Sequence, residues 1–160
     1  LLALLLAQLF GSAGCKVFFW SFSSSSQPSH AELAADYAEQ GDIEKAEEEY
    51  LLHIKSRLVN SKRPKDENPH FYRLLIGDLY LKKGDRKRAQ EEYLIARDND
   101  VDRALIVDRL RQLTKSYGEA GDFETAIQLS EGYREMEPLA FDADIDEYHK
   151  KQIEKADSGD

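Results

Sequence analysis

The chain contains very few of the residues that cross-link or interrupt folds. Of its 160 residues, one is cysteine, one is methionine, one is tryptophan and four are proline. A single cysteine excludes a disulfide within the chain, so cysteine pairing indicates nothing about the redox compartment. The four histidines are scattered along the sequence and share no spacing typical of a metal site. The fold must therefore be specified by packing and by local turns.

Positive charge is in deficit. The chain has 22 Lys and Arg residues against 31 Asp and Glu residues, which argues against a general nucleic-acid-binding protein. The net charge is −7 over residues 31–54, +4 over 55–103 and −7 over 104–160. This acidic–basic–acidic order of charge along the chain could select a partner with a complementary charge pattern. Ordinary solvation of helix surfaces explains the same charges equally well.

Signatures of catalysis are missing too. We find no Ser-His-Asp or Cys-His arrangement and no glycine-rich phosphate loop, since five of the nine glycines precede an aspartate that would repel phosphate. Asp142, Asp144 and Asp146 alternate as in a calcium loop. That loop would need Gly where Glu147 stands and Glu where Ile153 stands. We therefore predict no enzyme activity, no cofactor, no metal and no small-molecule substrate.

What is present is a repeated phrase: a Tyr, three residues, Gly-Asp, three residues and Ala. Each copy predicts a helix, a turn in which Gly adopts a left-handed conformation, and a second helix capped by Asp. The Ala is expected where the two helices approach closely, and the Tyr is expected to fill the wedge between helices. The copies are Tyr37, Gly41 and Ala46; Tyr80, Gly84 and Ala89; and Tyr117, Gly121 and Ala126.

This phrase resembles the tetratricopeptide repeat (TPR), whose period is about 34 residues and whose pattern has Leu-Gly-x-x-Tyr, Ala-x-x-x-Phe and a late Pro. Three units lie near residues 27–60, 70–103 and 107–140, and Pro138 closes the third. His53, Ser130 and Tyr133 depart from the pattern, and the Gly-to-Gly steps of 43 and 37 residues show that the units are not strictly tandem. The resemblance implies an all-α helical-repeat solenoid that binds proteins.

In the resembling family, the first helix of each unit lines a concave groove that holds a peptide or a partner's helix. Carried over by position, the second unit would contribute Phe71, Leu74, Asp78, Leu81 and Lys82. The third would add Asp108, Arg111, Lys115 and Glu119, and the first would offer a shallow wall of Ala31, Ala35 and Ala38. Phe71, Leu74 and Leu81 could equally be core residues. The chain lacks the Lys/Asn/Arg set with which some members bind a C-terminal carboxylate.

Residues 1–22 form an apolar segment with a single charge, at Lys16. Three interpretations stand: a retained transmembrane anchor, since about 20 residues span a bilayer; a lipoprotein signal with lipid on Cys15, in a loose lipobox match; or a cleaved signal peptide. Each places the protein at or across a membrane, and we expect the helical domain on the periplasmic or outer face. Residues 23–29 form a Ser-rich linker.

Residues 30–156 are predicted to form the helical domain and 157–160 a disordered tail. Ser29 and Glu32 predict a capping box at its start. An exposed loop is predicted from Lys55 to Glu67, followed by an N-cap and first-turn Pro at Asn68-Pro69. A closing helix after Pro138 is predicted to bury one face. That face consists of Phe141, Ile145, Tyr148 and Ile153.

The basic residues of the predicted loop could contact anionic lipid or an acidic partner, or could simply be solvated. They are Lys55, Arg57, Lys62, Arg63 and Lys65.

The function that these features favour is that of a membrane-anchored TPR-like adaptor. It would bind proteins as an accessory or assembly subunit of a larger membrane or cell-envelope complex, with membrane lipid contacted through residues 1–22. The alternative is a self-associating component of a lattice or filament, because acidic ends flank a basic middle.

Overall fold

The computed structural model describes residues 27–158, and over this range the chain is all-α, as predicted, with no β-strand. Seven helices follow one another along the described range: α1 (His30–Gln40), α2 (Ile43–Leu58), α3 (Phe71–Lys83), α4 (Arg86–Asp98), α5 (Arg103–Glu119), α6 (Phe123–Tyr133) and α7 (Pro138–Ser158).

Three identical turns join α1 to α2, α3 to α4 and α5 to α6. Gly41, Gly84 and Gly121 have φ of 80°, 89° and 77°, the left-handed region that the repeated phrase requires. In each turn the amide of the following Asp donates to the carbonyl of the repeat Tyr, which satisfies a carbonyl at the helix end. The same aspartates, Asp42, Asp85 and Asp122, cap the next helix.

Two further local features match the sequence pattern. At the start of α1, Ser29 and Glu32 form the reciprocal hydrogen bonds of a capping box. The three alanines of the phrase, Ala46, Ala89 and Ala126, are completely buried. Close approach also occurs at Gly77, where a Cβ would lie 2.4 Å from the Tyr93 ring, so only glycine leaves room for that ring.

Each helix packs against the next along the chain, and α3, α5 and α7 also contact one another in sequence. The largest apolar cluster, the central cluster, joins α3 to α7. A smaller one, the first cluster, joins α1 and α2 to α3. Tyr80 packs against both. The central cluster contains Leu74, Ala89, Tyr93, Ala96, Val101, Ile106, Leu110, Leu113, Tyr133 and Phe141, and the first contains Ala34, Tyr50 and Ile76.

The predicted loop is displaced. Helix α2 continues to Leu58, so Lys55 and Arg57 are helical, and the connection covers residues 59–70. Helix α3 begins at Phe71 with His70 as its N-cap, without a side-chain cap. Asn68 is therefore not the N-cap; its Oδ1 accepts from the His70 amide at 3.0 Å, and its amide group donates to the Asn99 carbonyl at 2.8 Å.

Two of the last three helices, α5 and α7, also differ from expectation. Helix α5 begins at Arg103, four residues before the predicted third unit, because Asp102 caps it. On α7, Phe141 and Tyr148 are buried and Ile145 packs against its neighbours, whereas Ile153 is 63% exposed and does not belong to the buried face. Helix α7 also ends at Ser158, beyond the predicted domain boundary at residue 156.

Candidate partner-binding groove

An open groove runs between α5 and α7. It has a volume of about 390 Å³. A shallower continuation of about 440 Å³ follows α5 toward its first turn and shares Asp108 and Arg111 with it. Both basic and acidic side chains line it. The groove is lined by Asp108, Arg111, Gln112, Lys115, Gly118, Glu119, Asp144, Glu147, Tyr148 and Lys151.

One bidentate ion pair fixes the two walls relative to each other. Arg111 Nε lies 2.6 Å from Asp144 Oδ2, and its Nη2 lies 2.7 Å from Oδ1. The hydrogen bond to Asp144 raises the pKa of Arg111, so this side chain stays charged. Such fork-to-fork pairs set geometry as well as energy. This ion pair therefore fixes the α5 wall of the groove relative to the α7 wall.

The floor of the groove depends on another close approach. Tyr148 of α7 lies over Gly118 of α5, where a Cβ would be 2.7 Å from the Tyr148 ring. Burial raises the pKa of Tyr148, which keeps the phenol neutral. Because a side chain at position 118 would push α7 outward, this glycine determines the width of the groove.

The remaining charges of the groove pair along their own helices. Lys115 lies 3.8 Å from Glu119 on α5, and Lys151 lies 2.5 Å from Glu147 on α7. All four side chains are exposed. Exposed pairs of this kind contribute little to stability, typically less than about 1 kcal/mol. They can therefore exchange partners at small cost.

The residues predicted to line a groove lie in different environments in the structure. Arg111, Lys115, Asp108 and Glu119 do line the α5–α7 groove. Leu74 is fully buried in the central cluster, so it cannot reach a partner. Leu81 packs against that cluster and is only partly exposed. Both leucines therefore belong to the packing around the central cluster and not to an open groove.

The other predicted residues of α3 have separate environments. Phe71 is 37% exposed and meets Tyr72 edge-on, while Lys82 is exposed. On the first unit, Ala35 is exposed, and Ala31 and Ala38 are partly buried.

Asp78 belongs to a structural network rather than to an open surface. It accepts a hydrogen bond from the Tyr93 hydroxyl at 2.8 Å and pairs with Arg109 at 3.1 Å. Burial raises the pKa of the Asp78 carboxyl, and burial also raises the pKa of Tyr93. With its oxygens engaged across α3, α4 and α5, Asp78 has little capacity left for a partner.

Sequence reasoning missed the α7 wall and a buried carboxylate. Asp144, Glu147 and Lys151 follow one another at three- and four-residue steps, the spacing of one helix face, but the two acids were considered above only against the pattern of a calcium loop. Glu92 is completely buried and pairs with Arg73 at 2.8 Å. It falls in the same spacing as Ala89, Tyr93 and Ala96, which signalled an inward position.

Residues 27–158 contain no group of three His, Cys, Asp or Glu side chains that could hold a metal. The alternating aspartates are helical and partly engaged, Asp144 with Arg111 and Asp142 with Arg134. None of the helices in this range is long and apolar enough to cross a bilayer. The predicted anchor at 1–22 and the predicted lipidation of Cys15 lie outside the described residues.

No protein-family model matches this chain, and a search of curated proteins finds no match either.

Proposed function

We propose that this protein is a membrane-anchored adaptor whose helices form a TPR-like array and whose α5–α7 groove binds a protein partner. It would act as an accessory or assembly subunit of a larger membrane or cell-envelope complex. The N-terminal apolar segment would hold it to the membrane through residues 1–22, with the helical domain on the periplasmic or outer face.

The repeated turn supports the TPR-like array. Each of three hairpins closes with the same Gly-Asp geometry and buries the same alanine. The first helices of the second and third hairpins touch, α3 against α5, and α7 takes the corresponding place after α5, whereas the first hairpin meets α3 through α2. Stacked equivalent hairpins are the organisation of a helical-repeat protein, in which each unit buries a face against its neighbour.

The observation that carries the binding function is the groove itself. It is open, it lies between two helices, and exposed side chains of both signs line it. Lys115 and Lys151 are held only by short-range pairs on their own helices. A partner segment with its own acidic and basic residues could replace these pairs with contacts of similar strength while burying Gln112. We expect a helix or extended peptide of mixed charge.

We assign no reaction to the groove. Its charged groups face one another as ion pairs, whereas general acid–base catalysis needs a group poised with a proton to give or accept. No cofactor is part of the proposal.

The test is co-purification of the full chain from detergent extract, in a matched pair of variants. In Lys115→Glu/Lys151→Glu, two groove charges reverse without touching Arg111. In Lys87→Glu/Lys150→Glu, two exposed lysines outside the groove lining reverse. We expect a stoichiometric partner with the unmodified chain and the control, and its loss with the groove variant.

A chain that elutes only as a free monomer would contradict the adaptor function. A chain that elutes as an oligomer at low salt and a monomer at high salt would favour the self-associating alternative, because screening weakens contacts between exposed charges.

A further inference from the structure

The two edges of the helical array differ. Because the helices alternate in direction, the starts of α1, α3, α5 and α7 share one edge with the ends of α2, α4 and α6. We call this the loop edge, and the edge with the three Gly-Asp turns the turn edge. Hydrogen bonds join neighbouring segments along the loop edge, from Asn68 to the Asn99 carbonyl at 2.8 Å and from Arg103 to the Glu135 carbonyl at 3.0 Å.

Exposed apolar side chains concentrate on the loop edge. Two of them, Leu58 and Val59, are adjacent, and Val59 is 80% exposed. Of the other large exposed apolar residues in the described range, Leu52 lies within α2 and Ile153 near the far end of α7. The set on the loop edge is Leu58, Val59, Phe71, Leu105 and Leu139.

Charge varies along the same edge. Residues 55–67 contain five basic and two acidic residues, a net of +3. Residues 97–103 contain two basic and three acidic residues, and residues 131–142 contain one basic and four acidic residues, a net of −3. Along the loop edge of the described range, net positive charge and exposed apolar side chains therefore coincide only around the α2–α3 connection. We call residues 55–71, which include the last turn of α2 and the first residue of α3, the basic tip.

Within the basic tip, three lysines are free to engage a surface. Lys55, Lys62 and Lys65 are exposed and form no ion pair with another residue of the 27–158 range. Arg57 is held by Glu67, and Arg63 donates to the Glu67 carbonyl at 2.6 Å. These contacts of the two arginines order the connection from within and leave the lysine charges outside.

The chain reaches α1 beside the basic tip. His30, the first residue of α1, lies 2.6 Å from Glu49 of α2. From Glu49, α2 continues for nine more residues to Leu58, which at the helical rise carries its end about 13 Å further. The tip thus projects past the point where the N-terminal linker joins the domain. A seven-residue linker, 23–29, spans at most about 25 Å.

We propose that the basic tip is a membrane-docking surface, with its lysines on anionic lipid headgroups and Leu58 and Val59 in the bilayer interface. This docking presupposes the anchoring proposed above. Lysines beside exposed apolar residues are the composition of surfaces that lie on anionic membranes. The acidic end of the loop edge, residues 131–142, is repelled by the same headgroups, so the array tilts with α7 away from the bilayer.

The tether makes even a weak contact effective. An anchor joined by a short linker confines the tip to a thin layer at the membrane surface, where its effective concentration is high. An acidic protein is the other class of partner that the lysines could engage. We favour lipid because the linker toward the proposed anchor joins the domain on the hairpin that carries the tip, and because Leu58 and Val59 stand next to the lysines. Docking would orient the α5–α7 groove away from the bilayer.

The test places a photo-crosslinking amino acid at position 59 in the full chain, and in a matched protein at Glu124, an exposed position beside the turn edge. Both are reconstituted into phosphatidylcholine vesicles with and without phosphatidylglycerol. We expect lipid adducts at position 59, several-fold more in the anionic vesicles, and few adducts at position 124.

A charge-reversal pair isolates the lysines. Lys62→Glu/Lys65→Glu should lower the lipid adduct at position 59 by about tenfold, since each basic residue near an anionic surface contributes measurably to binding. Lys82→Glu/Lys87→Glu makes the same charge change near the turn edge and should leave it unaltered.

Four outcomes would overturn the docking. If the chain floats with vesicles but position 59 forms no lipid adduct, the anchoring stands and the docking is wrong. If adduct yield is equal in neutral vesicles, anionic headgroups are not recognised. If position 59 crosslinks to a protein rather than lipid in native membranes, the tip is a protein-binding surface. If the chain does not float with the vesicles, the proposed anchoring is wrong, and the docking, which presupposes it, is wrong as well.

Discussion

The α1–α2 hairpin and the α3–α7 body are held by different kinds of contact. The body shares the central cluster, in which aliphatic and aromatic side chains of five helices are buried together. The hairpin meets the body through the smaller first cluster and through polar links, including Lys83 of α3 to Glu44 at 2.7 Å and Arg88 of α4 to Glu47 at 2.7 Å. Apolar burial resists salt and acid, whereas exposed ion pairs do not.

The Tyr80 hydroxyl adds to these polar links by donating to Glu47. Burial, together with this hydrogen bond, raises the pKa of Tyr80 to about 12, so the phenol remains a donor at physiological pH. The comparison teaches that one repeated turn can build equivalent hairpins whose attachment to the array differs in strength and in its response to conditions.

The largest effect is expected from a cavity in the body. Leu110→Ala removes a fully buried side chain from the central cluster and should lower the free energy of unfolding by about 2–5 kcal/mol, the usual range for such truncations. Denaturant unfolding followed by circular dichroism measures it. Leu139→Ala, at an 82% exposed position, is the control and should change stability by less than about 0.5 kcal/mol. Equal losses would mean that the central cluster does not dominate stability.

A second change overpacks the body without removing anything. In Gly77→Ala the new Cβ would meet the Tyr93 ring at 2.4 Å, so the ring or α3 must move, at a cost of about 1–3 kcal/mol. Gly132→Ala should instead raise the free energy of unfolding, because nothing lies within 4 Å of that Cβ and the gain in helix propensity is up to about 1 kcal/mol. The same unfolding experiment measures both. A stabilising Gly77→Ala would contradict the close approach.

A third change tests the buried carboxylate beside the hairpin. Glu92→Gln leaves Arg73 without its charged partner, and Arg88, 3.3 Å from Glu92, loses a second one. Both arginines retain some solvent contact, so we expect a loss of about 1–2 kcal/mol rather than the larger cost of a wholly buried pair. The thermal midpoint should fall by a few degrees.

The matched control is Glu91→Gln on the exposed face of the same helix, where the pair with Arg88 is 3.4 Å long. Its midpoint should scarcely change. If the two variants behave alike, burial of Glu92 is not what gives the pair its importance.

The smallest effect is an acid response confined to the hairpin. Glu32, Asp42 and Glu44 have pKa values lowered by hydrogen bonds, from the Ser29 amide, from Lys45 and from Lys83 respectively. A lowered carboxyl pKa contributes stability above the unfolded value, and that contribution is lost as the pH falls through the folded value. Asp78, in the body, has a pKa raised by burial, so its contribution to stability changes in the opposite direction as the pH falls.

Hydrogen exchange followed residue by residue as the pH falls below the ordinary glutamate pKa of 4.5 should therefore show α1 and α2 losing protection before α3 to α7. Glu32→Gln removes the charged half of the capping box and should reduce the acid response of α1 specifically. Uniform loss of protection over all seven helices would contradict the difference between the two regions.

Much of the local structure could be predicted because it is determined by residues close in sequence. The Gly-Asp turn needs one residue that tolerates positive φ and one carboxylate that caps the following helix, and both are visible in the phrase. The start of α3 was misplaced because Pro69 is buried and Asn68 bonds across to Asn99, thirty-one residues away. No pattern within the segment indicates such a contact.

The site was harder to predict than the fold. Position in a repeat assigned Leu74 and Asp78 to an open groove, yet Leu74 is buried in the central cluster and Asp78 pairs with Arg109 of α5. Asp144 and Lys151 line the groove because α7 continues the array beyond the third turn. Which side chains remain accessible to a partner depends on how closely each helix packs against the next.

The sequence by itself determined the seven helices approximately, the three turns and the alanines on which hairpins close, because short-range hydrogen bonds and sterics act within a few residues. Only the tertiary structure decided that Leu74 is core, that Glu92 is buried between arginines and that the open groove lies between α5 and α7. Those outcomes depend on the distance and tilt between helices, which are set by the fit of side chains such as Tyr93 over Gly77 and Tyr148 over Gly118.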